Sequence, residues 1–163
     1  MPISVYYSYF KNPFLIRFAL SILFSFLITS SYGQHLFPEK FKGCNTDQFS
    51  LESDSVTAKI NSQTLVSLIT SSLTEDQVET ATGTLSLQII VEKNGESCLL
   101  SLKNDTNLKT KQLHLKENID GKLHWEKVGD KVAAVVVLRF SSGAISIKRL
   151  GMNGKRGVHE LRP

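Results

Sequence analysis

The chain has 163 residues, 41% of them apolar and 21% charged, with a net charge of +4. These are ordinary globular proportions, with room for one domain plus a processed segment. Two of the cations, Lys11 and Arg17, fall in the first 33 residues; beyond them 17 basic residues face 15 acidic ones, too even a balance for a nucleic-acid-binding stripe.

Residues 1–33 read as a signal peptide. Lys11 and Arg17 supply a positive start, Phe18 to Thr29 an uncharged apolar run, and Ser31 and Gly33 the small residues of a cleavage site after Gly33. Counted from Phe14, the apolar stretch reaches about 16 residues, short of the roughly 20 that cross a bilayer. The alternative is an uncleaved anchor holding the domain at the inner membrane. Cleavage leaves a periplasmic or secreted domain. In such an oxidising compartment the even pair Cys44 and Cys98 reads as a disulfide. It would close a loop of about 50 residues, worth roughly 3–4 kcal/mol; the alternative is two separate buried thiols. There is no Cys-x-x-Cys to support redox or zinc chemistry.

Residues 34–54 are polar and irregular and read as an extended lead-in. From Val56, apolar positions recur at helical spacing through Ile60, Leu65, Leu68, Ile69 and Leu73, with Ser53 or Asp54 as the N-cap. Thr74-Glu75-Asp76-Gln77 has the form of a capping box and predicts a second short helix to about Thr80. Leu85, Leu87, Ile89 and Val91 then alternate with polar residues, as in a half-buried strand. Asn94-Gly95 predicts a two-residue type I′ turn. That turn would set Val91 opposite Cys98, Ile89 opposite Leu100 and Leu87 opposite Leu102, all on one apolar face.

Asn107 is placed to cap a helix from Leu108 to about Ile119, ended by Asp120-Gly121. Val132, Ala134, Val136, Leu138 and Phe140 form another strand face. Ser142-Gly143 turns the chain and pairs Phe140 with Ile145 and Leu138 with Ile147. The last strand fades near Leu150, so residues 55–150 form the domain and 151–163 a flexible basic tail. The resulting fold class is α+β: an antiparallel sheet of three to four strands in the order α-β-β-α-β-(β), two helices on one face and solvent on the other.

Chemistry-bearing patterns are sparse. His35, His114, His124 and His159 have no ligand spacing, which predicts no metal site. The serines lack a nucleophile-elbow frame, no carboxylate pair stands out, and no glycine-rich phosphate loop is present. Neither catalytic residues nor cofactors are therefore expected. Asn104-Asp105-Thr106 matches a glycosylation sequon, and Trp125 reads as a core residue.

The stretch Gly83-Thr84 through Ile89-Ile90-Val91-Glu92-Lys93-Asn94-Gly95, a helix, Trp125, and then Gly129-Asp130-Lys131-Val132 with a strand closing at Phe140 resembles the C-terminal domain of TonB-type energy transducers. Phe37 to Cys44 is similar to the segment that precedes this domain in some members. The resemblance covers residues 37–140. It implies a non-enzymatic domain that takes up an extended peptide of an outer-membrane transporter, or of another envelope protein, by strand addition. Val132, Ala133, Val135, Val137, Arg139 and Phe140 would face the partner. The chain departs from the family pattern in three places. Thr74 to Ala81 contains no Tyr-Pro pair, Lys127 stands where a Pro follows the Trp, and no Pro-rich linker is present. A strand over Ile145–Leu150 would also occupy the edge a peptide needs. The alternative implied is an accessory or structural envelope protein that kept the fold and lost peptide binding.

Overall fold

A computed structural model describes residues 35–162; the expected signal peptide lies outside them. The fold is α+β. In chain order its elements are β1 (Glu39–Lys40), β2 (Ser50–Leu51), α1 (Ser62–Thr70), α2 (Glu75–Thr80), β3 (Thr82–Val91), β4 (Ser97–Thr106), a 3-10 turn (Thr110–Leu113), α3 (Leu115–Lys122), β5 (Val132–Ser141), β6 (Ala144–Asn153) and β7 (Gly157–Glu160). The seven strands form one sheet in the order β1-β4-β3-β5-β6-β7, with β2 also on β5. All pairings are antiparallel except β2–β5. The sheet is thus wider than the three to four strands expected, because the lead-in and the tail both join it.

The main core lies where the alternation predicts. Leu85, Leu87, Ile89 and Val91 of β3 meet Val132, Ala134, Val136, Leu138 and Phe140 of β5, under Leu65 and Ile69 of α1 and Leu115 and Ile119 of α3. Trp125 is buried among them and donates its indole N–H to Ser97 Oγ at 2.8 Å.

Helix boundaries differ from the sequence reading, for local reasons. α1 begins only at Ser62, where the Asn61 side chain accepts from the Gln63 and Thr64 amides. Ser53 and Asp54 do not cap it, because Glu52 draws the intervening chain into a loop by accepting from the Thr57 and Ala58 amides at 2.7 and 2.8 Å. α2 has the expected capping box at Thr74. The expected 108–119 helix is broken at His114, which adopts φ +44°. The break turns both Leu113 and Leu115 into the core, which a continuous helix would place about 200° apart. Asn107 ties two loops together instead of capping, donating to Thr80 O and accepting from Thr82 N.

The β3–β4 connection also differs. Gly95 alone takes positive φ, at +91°, and its amide donates to Glu92 O at 2.8 Å. This is a three-residue loop with a bulge rather than a two-residue type I′ turn. Asn94 accepts from the Glu96 amide through its side chain. Val91 therefore pairs with Ser97, Ile90 with Cys98 and Ile89 with Leu99, until a register slip between Gln88 and Ile89 restores the expected Leu87–Leu102 pair. Val91 and Cys98 consequently lie on opposite faces, contrary to the expectation.

That correction accounts for the second face. Cys98, Ile90, Leu100 and Ala133 form a smaller core there with Cys44, Phe49 and Leu51 of the lead-in. The lead-in is thus a strap over the face expected to meet solvent. It is fastened by the Cys44–Cys98 disulfide, by the Leu36 amide on Gln88 Oε1 at 2.8 Å, and by the Phe37 amide on Ser101 Oγ at 3.2 Å.

Nor is the tail a free end. β6 continues past Leu150 to Asn153, and β7 pairs back along it from Leu150 to Asn153. Asn153 Oδ1 accepts from the Lys155 and Arg156 amides and shapes the turn. Arg156 and Lys148 form ion pairs with Asp54 and Glu160.

Candidate functional site

A strand can accept a peptide only along an edge whose backbone groups are unpaired. β5, the strand that the resemblance marks as partner-facing, has none to offer. One side pairs with β3 from Val132 to Ser141. The other pairs with β6 from Val135 to Ser141 and with β2 at Val132 and Ala133. Of the residues expected to face a partner, Val132, Ala133, Val135 and Phe140 are buried, Val137 is half-buried and only Arg139 is exposed. They share one strand but line no open edge.

The exposed edge on this side belongs to β6. Ser142 and Gly143 both take positive φ, +45° and +87°, so the turn expected between β5 and β6 is a two-residue turn of type I′. Ser141 and Ala144 are then a hydrogen-bonded pair, and in an antiparallel ladder such pairs alternate. Ala144, Ser146 and Lys148 direct their backbone groups at β5, while Ile145, Ile147 and Arg149 direct theirs outward. The Leu161 amide meets Arg149 O at 2.8 Å, in keeping with that parity and closing the edge there. Among the described residues no strand pairs with Ala144–Lys148 on the outer side.

Beside this edge runs a groove between α1 and β6. Ser62, Val66 and Ser67 form one wall and Ile145 and Ile147 the other of an open depression of about 450 Å³. It shares Ser62 and Ile147 with a second hollow of about 450 Å³ bounded also by Val56, Ile60, Leu65 and Leu161. The groove is walled by apolar side chains, Gln63 and two hydroxyls, and the second hollow adds the charged Lys59, Lys148, Arg149 and Glu160.

Arg149 fixes the closed end. Its guanidinium pairs with the buried Glu52 carboxylate, donates to Ala58 O at 2.9 Å and stands 5.0 Å over the Trp125 ring. Burial pulls its pKa below the ordinary guanidinium value, opposed by the charge and hydrogen bond of Glu52. Glu52 also receives three hydrogen bonds from Thr57 and Ala58. One ion pair thus joins strap, loop, β6 and Trp125.

The opposite edge of the sheet is blunted. β1 covers β4 only at Ser101 and Leu102, and the exposed remainder carries the Lys103–Asp105 pair at 2.7 Å, a charged guard of the kind that keeps edges from pairing. The Asn104 amide donates to Leu108 O and Thr110 Oγ1, so the sequon asparagine is engaged in the fold.

Among the described residues no cluster of His, Cys, Asp or Glu is placed to hold a metal, and no helix is long and apolar enough to cross a membrane. The Cys44–Cys98 bridge fits an oxidising compartment. No protein-family model, curated protein or solved structure matches the chain.

Proposed function

We propose that this protein is a non-enzymatic binding module of the cell envelope that takes up an extended peptide by strand addition along β6. The open edge Ala144–Lys148 carries this reading: Ile145 and Ile147 present outward backbone groups beside a groove of about 450 Å³. Backbone hydrogen bonds would supply affinity, and side chains at alternate positions of the peptide would enter the α1 groove. The partner class, a segment of an outer-membrane transporter or other envelope protein, comes from the TonB-type resemblance alone. The disulfide supports the envelope location.

One observation favours the second reading, an accessory or structural envelope protein without peptide binding. β6 covers the β5 edge that the resemblance assigns to the partner. The two readings differ in what the chain retains from envelope proteins. Peptides from proteolysed envelope extract would be captured on the purified protein and identified by mass spectrometry. Ile147→Pro removes one outward N–H without touching the β5 ladder. It should lower retention of the captured peptides about tenfold, the scale of a lost hydrogen bond, with near-ultraviolet circular dichroism unchanged. Peptides held equally by wild type and variant would remove the β6 edge from consideration, and no specific capture would favour the accessory role.

A further inference from the structure

The large hydrophobic side chains that stand exposed among the described residues are Met152 and Val158, at 37% and 60%. They are direct cross-strand partners on β6 and β7. Both stand at the mouth of an apolar hollow of about 220 Å³ on the strapped face, with Leu36, Phe37, Val135 and Leu150 behind them. Pockets that engulf small molecules usually exceed about 300 Å³, so this hollow is smaller than a typical small-molecule site.

Charge beside the pair has one dominant sign. The β6–β7 turn carries Lys155 and Arg156, and the bridge between Ser55 and Arg162 brings a third cation to the strap segment that holds Asp54. Asp54 is the anion there and is already paired with Arg156. Lys148 and Glu160, next along the hairpin, neutralise one another at 2.6 Å. An exposed apolar pair flanked by cations matches the interface of an anionic bilayer, where side chains enter the acyl boundary and cations meet headgroups.

We propose that the β6–β7 hairpin docks on an anionic lipid bilayer, with Met152 and Val158 entering the interface and the unpaired cations Lys155 and Arg162 facing the headgroups. This surface is separate from the Ala144–Lys148 edge, so it does not rest on peptide binding.

The test is vesicle flotation of the chain in the processed form its own cell makes, comparing phosphatidylglycerol-containing with pure phosphatidylcholine vesicles. Each cation near an anionic surface is worth about fivefold in partitioning. Lys155→Glu, a change of two charges, should therefore weaken binding more than about tenfold. Met152→Ser combined with Val158→Ser should weaken it about fivefold or more, with near-ultraviolet circular dichroism showing both variants folded as wild type is. Any N-terminal segment that remains is common to wild type and variants, so their ratio isolates the hairpin. Equal partitioning to neutral and anionic vesicles, or variants that bind as wild type does, would overturn the proposal. Displacement from vesicles by a monomeric short-chain phosphatidylglycerol would overturn it as well, by assigning the hollow to a single lipid molecule.

Discussion

Glu52 is a carboxylate with no exposed side-chain surface, and its charge is matched by Arg149 on a strand 97 residues later. Removing one partner of a buried pair leaves the other uncompensated, typically at about 3–5 kcal/mol. Glu52→Ala should therefore lower stability by roughly that amount in urea melts, far more than loss of the exposed Lys148–Glu160 pair, for which 0–1 kcal/mol is usual. Equal effects of the two would contradict the role given to Glu52. Gly95 is the second residue of this kind. At φ +91°, a Cβ there would stand 2.3 Å from Trp125 O, so Gly95→Ala should both strain the backbone and separate the β3–β4 loop from the Trp125 segment. Thermal unfolding with Trp fluorescence would register the loss. The positive φ of Gly95 was legible in the sequence; its approach to Trp125 and the role of Glu52 were not. Glu52 sits in a polar stretch with nothing to mark its distant partner, and Gly95 was read for a turn in which Asn94 would share its positive φ.

Among the elements, those with local determinants were readable. The capping box at Thr74 and the Ser142-Gly143 turn need only residues a few positions apart, and both form as expected. So do the Phe140–Ile145 and Leu138–Ile147 pairs that the second turn dictates. The β3–β4 register was misread because Glu96, counted as a strand residue after the turn, instead closes a longer loop. A compensating slip near Leu100 then returns Leu102 to its expected partner. β7 escaped notice because Gly157–Glu160 is short and follows two glycines, and its support is long-range. Part of that support is Asp54, whose carboxyl is held below its ordinary pKa by hydrogen bonds from Arg156 and then Asn153. With the folded value depressed, the contribution is present above the unfolded value and disappears as pH falls through the folded one. Following the Asn153 side-chain amide by NMR during acidification should show a transition below the normal Asp range. Asp54→Asn should abolish that transition, and its persistence in the variant would assign it elsewhere.

The described residues form one sheet with two unequal cores. Helices shelter one face, as the period-2 and helical patterns together require; a strap shelters the other. The extended lead-in and its Cys44–Cys98 bridge form as expected; the face it covers was not readable, because the segment forms only two two-residue strands and Cys98 was placed on the opposite face. The bridge closes a separation of 54 residues, for which the chain-entropy model gives about 4 kcal/mol. Cys44→Ser combined with Cys98→Ser should therefore cost about that much stability. Exchange should accelerate first in residues 36–51 and leave the helix-covered core protected; loss of protection spread evenly over both faces would contradict the two-core division. The candidate site was legible only in part. The resemblance marked Val132–Phe140 as partner-facing, and that strand is paired along both sides; whether an edge is open depends on which strand lies beyond it, and that is set here by the β7 return and by Leu161 closing at Arg149.

Residue-resolved hydrogen exchange of the peptide-free protein tests this assignment of edges most directly. Amides from Val132 to Phe140 should exchange slowly throughout, while those of Ile145 and Ile147 exchange fast and become protected when a captured envelope peptide is added. Rapid exchange along Val132–Phe140, or protection of Ile145 and Ile147 before any peptide is present, would contradict the account.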